Sequence, residues 1–347
     1  RVVKNLDSHP AHTVIETPHT EFKSMFLLET GRGCEMGCRF CVSGYIYRPV
    51  RRRSARALLE TIEHYASEAK DLGFIGAAVS RHPGLAKLGA WASERGQRFS
   101  LSSLMSQCVT PALAAQLANC GCQMAALAPE CGREKLRFSI GKRSSDAEIL
   151  SAVEHLAYSG ITTLKLYFML GLPGEVRADA LAAAELTKKI HEMLTRAARP
   201  ARGRRQFKLI LSVNSFVPKP WTPFQRHPFL DIRELRQRFR LLRRELGALS
   251  NIELRVESPR ASYFQALLSR GDRRLAALLV QLWESGIDPL GLVQSGSRAL
   301  CGNCPSADSY VYREFGQSAV LPWEIIDLGV KRELLEREYA RALKGEG

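Results

Sequence analysis

The sequence has no uninterrupted run of about 18 apolar residues, the length that a membrane-spanning helix requires. Its first residues, RVVKNLDSHP, do not resemble a signal peptide. These absences exclude a predicted membrane anchor and a predicted secretory leader within this sequence. They predict a soluble, cytoplasmic protein with no membrane partner.

Acidic residues are scarce relative to basic ones. The chain has 35 Asp and Glu against 50 Lys and Arg, a formal net charge of +15. Such a surplus raises the expectation of a polyanionic partner. No nucleic-acid module signature accompanies the charge, so a nucleic-acid partner is an alternative that the sequence does not favour. The preferred explanation is an Arg- and Ala-rich chain whose charges lie on solvated faces.

Nine cysteines, an odd number, occur in a long chain without a secretory signal. This setting disfavours a disulfide framework and favours metal binding or catalysis. Cys108, Cys120, Cys122 and Cys131 have apolar or small neighbours in sequence. We therefore expect these four to fill space in the core.

Apolar, β-rich runs alternate with amphipathic stretches over most of the chain. The predicted strands are residues 25–30, 74–80, 98–104, 123–129, 163–171 and 207–216. The predicted helices are residues 54–72, 84–95, 110–120, 145–159, 179–196 and 231–249. This order predicts an α/β fold of right-handed parallel βαβ units, either an open doubly wound sheet or a complete or partial barrel.

Local signals mark several helix ends. Ser54 and Thr110 are predicted N-caps. Gly73, Gly121 and Gly160 are predicted to end three helices, as glycines just past the C-cap do.

The chain is long enough for one domain of about 200–250 residues and an appendage. We expect an N-terminal extension at residues 1–23, a core at 24–250 and a mainly helical C-terminal appendage at 251–347. A short apolar run at 252–256 and helices at 273–285 and 330–343 are assigned to the appendage.

The first predicted strand leads into a glycine-rich loop with three thiols. Cys34, Cys38 and Cys41 have the spacing CxxxCxxC, and Gly33 and Gly37 give the loop the freedom to curl. Thiolates hold iron–sulfur clusters, and three of them on a four-iron cluster leave one iron open for chemistry. A structural zinc site normally has four ligands. The next cysteine is Cys108, which is far outside zinc-ligand spacing.

This loop resembles the signature of the radical S-adenosylmethionine (SAM) superfamily, which has an aromatic residue before the last cysteine, here Phe40, an implied cofactor contact. The resemblance implies a partial (β/α)6 TIM-like barrel and a 4Fe-4S cluster on Cys34, Cys38 and Cys41. It also implies SAM as cofactor, cleaved to a 5′-deoxyadenosyl radical that acts on an unknown substrate. An electron donor such as flavodoxin or ferredoxin is the implied partner.

Two further segments resemble SAM-binding elements of that superfamily. Glu130, after the fourth predicted strand, is implied to contact the hydroxyl or amino groups of SAM, with a solvated loop glutamate as the alternative. Gly171, Leu172, Pro173 and Gly174, after the fifth, are implied to support the adenine. The same four residues read alone form an ordinary turn, and no GK[ST] follows, so they are not a P-loop.

The second strand departs from the superfamily pattern. A Gly-Gly-Glu step that binds the SAM amine is usual there, whereas this chain has Val79-Ser80-Arg81-His82. Ser80 or nearby backbone is expected to replace the missing contact. Arg81 and His82 are candidate substrate contacts, with two exposed loop residues as the alternative.

The chain as a whole resembles a subgroup often preceded by a cobalamin-binding domain. The Asp-x-His-x-x-Gly signature of that domain is absent, so cobalamin is a hypothesis about a region upstream of Arg1. The proline-rich segment at 216–224 is similar to segments in RNA methylthiotransferases, which gives an RNA-modifying enzyme as one alternative function. A non-catalytic metal-binding protein is another.

Cys301 and Cys304 have CxxC spacing. Two thiols are too few for a closed metal site. An auxiliary cluster, a redox pair and two ordinary loop cysteines are the alternatives.

Overall fold

The computed structural model describes residues 2–22, 24–198, 206–288 and 305–347. Its strands are β1 (Phe26–Glu29), β2 (Gly31–Arg32), β3 (Arg51–Arg52), β4 (Asp71–Ile75), β5 (Arg98–Leu101), β6 (Met124–Glu130), β7 (Thr163–Leu170), β8 (Lys208–Ser215) and β9 (Ile252–Val256). Its helices are α1 (Ala55–Tyr65), α2 (Leu85–Glu94), α3 (Pro111–Asn119), α4 (Glu134–Ser139), α5 (Asp146–Ser159), α6 (Arg177–Ala198), α7 (Ile232–Leu246), α8 (Pro259–Arg270), α9 (Leu275–Ser285), α10 (Ala307–Val311) and α11 (Arg332–Leu343).

Two parallel sheets form the centre of the fold. One has the order β1-β4-β5 and the other the order β6-β7-β8-β9. A parallel bridge between Leu104 and Leu127 connects them, and the backbone amide of Leu104 donates to the carbonyl of Ala126 at 2.8 Å. The predicted α/β fold with parallel sheets is confirmed. The carboxyl ends of these strands therefore lie at one edge, where parallel α/β folds gather their chemistry.

Several local signals act as predicted. The Ser54 hydroxyl accepts from the Ala57 amide, and the Thr110 hydroxyl accepts from the Leu113 amide, so both residues cap their helices. Gly160 has φ +102° at the C-cap of α5, where a left-handed residue is needed.

The prediction of a helix over 54–72 that ends at Gly73 is wrong. Helix α1 ends at Tyr65, and Gly73 lies inside β4, opposite Leu27 of β1. A Cβ atom on Gly73 would lie 2.7 Å from the Leu27 side chain and 2.6 Å from Met25. The glycine therefore allows two strands to approach closely, and the predicted strand at 74–80 in fact covers 71–75.

Residues 252–256 form β9, which pairs in parallel with β8 and extends the main sheet. The structure also contains α8 over Pro259–Arg270, which sequence patterns did not indicate. The limits of the three predicted domains stay predictions.

Strand β7 shows how the fold separates its two faces. Leu164, Leu166 and Phe168 are buried in the main hydrophobic core. Lys165 and Tyr167 alternate with them and face a cavity on the opposite side of the sheet. The strand thus joins the core to a polar interior surface.

Some of the arginines are internal. Among the residues that the structure describes, six arginines are buried and do not lie on the solvated faces expected for the charges: Arg39, Arg53, Arg137, Arg226, Arg238 and Arg270. The Arg270 guanidinium donates to the carbonyls of Tyr310, Gln225, His227 and Arg313. Part of the positive charge therefore ties chain segments together. Within the described ranges, no helix has both the length and the apolarity needed to cross a bilayer.

Helix α11 packs beside the proline-rich segment through a row of hydrogen-bonded side chains that runs from half-buried His227 to exposed Glu314. His227 Nδ1 and the Tyr339 hydroxyl are 2.9 Å apart, and that hydroxyl donates to Glu314 at 3.0 Å. Since the tyrosine proton goes to the carboxylate, the histidine must donate to the tyrosine oxygen. Burial lowers the pKa of His227 to about 4, so the ring is neutral in the folded protein.

The neutral His227 in these hydrogen bonds makes the stability of the protein depend on pH. Between its unfolded pKa of about 6.5 and its folded value, His227 takes up a proton only when the protein unfolds. We expect the free energy of unfolding to fall by about 3 kcal/mol as pH drops from 6.5 to 4, and His227→Gln to flatten that dependence. Urea unfolding at several pH values measures it, with exposed His64→Gln as control. Equal slopes for His227→Gln and wild type would contradict the prediction.

Candidate active site

The cysteine loop follows β1 and the short strand β2. Cys34, Cys38 and Cys41 are free thiols. Gly33 has φ +85°, and a Cβ atom there would lie 2.5 Å from the Tyr47 carbonyl oxygen, so the loop needs glycine at this position. The loop therefore has the tight curvature that its sequence predicts.

Backbone hydrogen bonds hold the loop in shape. The Cys41 amide donates to the Cys38 carbonyl at 3.1 Å, and the Met36 amide donates to Cys34 Sγ at 3.5 Å. The Tyr45 hydroxyl donates to the Gly37 carbonyl at 3.0 Å. Hydrogen bonds to ligand sulfurs tune an iron–sulfur cluster, so the Met36 amide has a role if Cys34 is a ligand.

A second loop supports the first. The Arg39 amide donates to the carbonyl of Ile140 at 2.9 Å. Gly141 has φ +73°, and a Cβ atom there would lie 3.0 Å from the Gly37 carbonyl oxygen. The loop after α4 is thus in close contact with the cysteine loop, and Lys142 follows directly.

The side chain of Arg39 anchors the cysteine loop to the C-terminal helix. Its guanidinium is buried, with 2% of the side chain exposed, and donates to Glu338 of α11 at 2.9 Å. It also donates to the carbonyls of Ser139 and Glu346. One side chain in the loop therefore joins α4, α11 and the C-terminal residues.

The resemblance implies a 4Fe-4S cluster held by Cys34, Cys38 and Cys41, and the chemistry of these thiols bears on that assignment. Burial raises the pKa of Cys38 to about 12, and the Lys142 ammonium opposes that rise. Such a thiol is protonated unless a metal replaces its proton. In the described part of the chain, no three His, Cys, Asp or Glu side chains could share one metal ion. A 4Fe-4S cluster takes cysteine thiolates as ligands, and Cys34, Cys38 and Cys41 are free thiols, so the chemistry of these donors suits a cluster.

Glu130 ends β6 beside this loop. Its φ of +70° is rare for a residue with a side chain, and the register between β6 and β7 is irregular between Leu127 and Glu130. The carboxylate accepts from Lys142 at 2.9 Å. It is close enough to Cys38 to raise the pKa of that thiol. Sequence patterns identified Glu130 but assigned Lys142 no role, because nothing in the sequence pairs residues twelve apart across two loops.

The turn after β7 has left-handed glycines at both ends, Gly171 at φ +92° and Gly174 at +78°. The side chain of Leu172 is buried, so only its backbone is available to a ligand. Pro173 lies between Leu172 and Gly174 in the turn. A Cβ atom on Gly174 would meet no atom within 4 Å, so this end of the turn faces open space.

Glu175 holds the turn from inside. One carboxylate oxygen accepts from the amides of Gly171 at 2.9 Å and Leu172 at 3.1 Å, and the other accepts from Arg238. Burial raises the pKa of this carboxyl to about 7 against the opposing effect of Arg238. Glu175 therefore has a structural role in the turn, which its position in the sequence did not reveal.

The residues after β4 divide into buried and exposed positions. The Ser80 hydroxyl is buried and accepts from the Met105 amide at 3.1 Å. Arg81 is exposed and donates to Glu35 at 2.7 Å. His82 is buried, with Nε2 at 2.7 Å from the Arg53 carbonyl and Nδ1 accepting from Gly84. Both ring nitrogens are engaged, so His82 is neither a substrate contact nor an exposed residue.

The predicted cofactor contact Phe40 is half-buried and packs against a hydrophobic cluster with Leu172, Phe216 and Phe224. Phe216 and Phe224 belong to the proline-rich segment, which is largely buried there. This segment packs the cysteine loop against α11. Cys120 and Cys131 fill the core as predicted. Cys301 and Cys304 lie outside the described residues.

A cavity of about 920 Å³ opens on the inner face of β5 to β8. Glu130, Met169 and Asn214 line it at the carboxyl ends of the strands, and Lys165 and Tyr167 line it deeper down. Glu130 is thus shared between the cavity wall and the surroundings of the cysteine loop. The surroundings of the cysteine loop therefore adjoin a space large enough for an organic molecule.

Residues 28–187 match the family model of the radical SAM superfamily. An uncharacterized protein of Methanocaldococcus jannaschii is 29% identical over 276 residues, which cover 79% of this chain and 58% of that relative. The chain therefore spans less than two thirds of the length of this curated relative.

Three solved structures show similarity at low identity. SuiB from Streptococcus suis, bound to S-adenosylmethionine, has a TM-score of 0.48 at 14% identity, covering 68% of this chain and 51% of that one. Coproporphyrinogen III oxidase from Escherichia coli has 0.46 at 14%, covering 64% and 52%. The radical S-adenosylmethionine methyltransferase TsrM from Kitasatospora setae, with cobalamin and a 4Fe-4S cluster bound, has 0.44 at 15%, covering 54% and 36%.

Proposed function

Because residues 28–187 match the family model of the radical SAM superfamily, we propose that the chain is a radical SAM enzyme that cleaves SAM reductively to act on an organic substrate. Cys34, Cys38 and Cys41 hold its 4Fe-4S cluster. The observation that carries the proposal is the position of these free thiols, in a tightly curved loop beside Glu130 at the end of a parallel sheet.

The cluster and SAM supply the difficult step, the transfer of one electron that breaks a sulfonium C–S bond and yields a 5′-deoxyadenosyl radical. The protein binds, orients and shields the reactants. Three thiolates leave one iron without a protein ligand, and that open position is where the amino and carboxylate groups of SAM bind in this superfamily. Helix α11, through Arg39, holds the loop in position.

Glu130 and the turn after β7 form the proposed remainder of the SAM site. The Glu130 carboxylate, oriented by Lys142, suits a ribose hydroxyl or an ammonium group. The open backbone at Gly174 suits the flat face of adenine. Phe40 supports the loop through packing, and Ser80, whose oxygen already accepts one hydrogen bond, still has a proton to donate.

We further propose that the parallel strands form a partial TIM-like barrel whose mouth is the edge with the cysteine loop. The bridge between Leu104 and Leu127, which links the two sheets, supports this arrangement. A low-potential donor such as flavodoxin or ferredoxin is the proposed electron source. The chain resembles a subgroup that often has a cobalamin-binding domain, so we also propose that cobalamin binds to a domain outside this sequence. Measuring the corrinoid content of the full-length protein tests this.

Anaerobic reconstitution tests the function directly. Purified chain is incubated with iron and sulfide, desalted and analysed for iron, zinc and visible absorption, then mixed with dithionite and SAM. We expect about four irons per chain and accumulation of 5′-deoxyadenosine. Zinc without iron, or a loaded cluster that produces no 5′-deoxyadenosine, would contradict the proposal.

Glu130→Gln tests the proposed SAM contact. Loss of charge-assisted hydrogen bonds weakens binding by about 1.5–3 kcal/mol, so the KM for SAM should rise about tenfold to a hundredfold. Iron content should match wild type, because Glu130 is not a proposed cluster ligand. Glu154→Gln is the matched control, because Glu154 lies on the exposed face of α5. An unchanged KM would remove Glu130 from the SAM site.

A further inference from the structure

The inner face of β7 has polar side chains that the proposed SAM site does not use. Lys165 and Tyr167 both line the cavity. The Lys165 ammonium lies 4.7 Å from the centre of the Tyr167 ring, a cation–π distance. Across the residues that the structure describes, Lys165 takes part in no ion pair. An amine in a cavity wall without a carboxylate partner is available to a ligand.

The other buried or rim charges of the cavity are already engaged. Arg98 forms an ion pair with Asp71, and Glu130 accepts from Lys142. The carboxylate of Glu21 also lines the cavity, but that residue is exposed. Among the residues that the structure describes, the charge left to attract a ligand inside the cavity is therefore one positive charge.

Much of the remaining wall is apolar. Carbon-rich side chains from the N-terminal segment and from β5 to β7 line the space: Phe22, Met25, Leu101, Ala126, Ala128 and Met169. Hydroxyl and amide groups of Ser100, Gln123 and Asn214 interrupt this surface. A ligand that matches it has an apolar body and few polar groups.

Strand geometry gives the depth of Lys165 below the reactive edge. Met169 is paired with Asn214, and Glu130 is paired with Phe168, so these residues mark the top of the cavity. Below Phe168, Tyr167 is one residue and Lys165 three residues down the strand, or about 3 Å and 10 Å, and the Lys165 ammonium lies on the Tyr167 ring.

We propose that Lys165 binds the anionic group of the enzyme's substrate, a monoanionic organic molecule with an apolar body, such as a carboxylic acid. One ammonium matches one negative charge, and the surrounding wall matches hydrocarbon. The substrate then has its reacting carbon near Glu130 and its anion about 3–10 Å deeper, between the levels of Tyr167 and Lys165. That the ligand is a substrate rests on the proposed function, whereas anion binding by Lys165 does not.

A matched pair of fluorescent probes tests the anion site without cluster or SAM. 8-Anilinonaphthalene-1-sulfonate has a single negative charge, and N-phenyl-1-naphthylamine has the same aromatic body without it. We expect Lys165→Gln to weaken binding of the sulfonate about tenfold and leave the neutral probe unchanged. Lys165→Arg should retain the sulfonate, because it keeps the charge. Lys189→Gln, on the exposed face of α6, is the control for charge change.

Each other outcome overturns the proposal. Equal sulfonate binding by Lys165→Gln and wild type would show that the ammonium does not hold an anion. Parallel weakening of both probes, with the thermal midpoint unchanged, would show that Lys165 only shapes the wall. Failure of wild type to bind either probe would show that the cavity does not accept such ligands. None of these results bears on 5′-deoxyadenosine formation, so the two proposals fail separately.

Discussion

Cys38→Ser is expected to abolish the cluster and, with it, SAM cleavage. A serine hydroxyl is a poor ligand for iron in a sulfide cluster, and Cys38 lies between the other two thiols in the loop. Changes outside the ligand shell already cost about 10–100-fold in metal affinity, so the loss of a ligand should cost at least that. Visible absorption, iron content and 5′-deoxyadenosine, measured after identical reconstitution, give the result.

Cys108→Ser is the matched control, since Cys108 lies in a separate turn and is not a proposed ligand. It should keep wild-type iron content and activity. A Cys38→Ser protein with a full cluster and normal SAM cleavage would refute the assignment of the three ligands. Loss of iron in both variants would show instead that the assay reports general damage to the fold.

Arg39→Met is expected to destabilise the protein by about 3 kcal/mol, the lower end of the usual cost of breaking a buried ion pair, because Glu338 also contacts Arg341 at 3.3 Å. Methionine fills similar volume but leaves Glu338 without its buried partner. The carbonyls of Ser139 and Glu346 also lose their donor. We expect a lower midpoint in urea and earlier proteolytic release of the C-terminal helix.

The consequences for the cluster follow from the same contact. Arg39 is the residue after Cys38, so a loosened α11 should lower iron uptake as well as stability. Arg236→Met is the control, because Arg236 is exposed and lies on a different helix, α7. The double variant with Glu338→Gln should be less damaging than the sum of the single changes, since both remove one interaction. Additive effects, or wild-type stability of Arg39→Met, would contradict the anchoring role.

Features that depend on neighbouring residues were predictable. Thr110 caps α3 because its hydroxyl reaches an amide three residues ahead. Gly160 ends α5 because only a left-handed residue fits there. The alternation of apolar strands with helices predicted parallel βαβ units. The ligand assignment of Cys34, Cys38 and Cys41 came from spacing and resemblance and stays a prediction.

Features that depend on distant pairing were not predictable. Gly73 has the sequence context of a helix end, yet it lies in a strand because β1 requires room beside it. His82 lies in a sequence typical of a loop, yet its ring is buried and contacts the Arg53 carbonyl and the Gly84 amide. Both errors arose because a local signal was outweighed by a contact made after the sheet assembled.

By itself, the sequence determined the parallel α/β pattern, the curvature of the cysteine loop and the three thiols in it, since dihedral freedom, capping and thiol spacing act within a few residues. Tertiary structure alone decided that Arg39 meets Glu338 and that Lys142 turns toward Glu130. Within the described part of the chain, it also left Lys165 without an acidic partner. Ion pairing and burial depend on which elements pack together, and a charged side chain's neighbours exist only once the chain has folded.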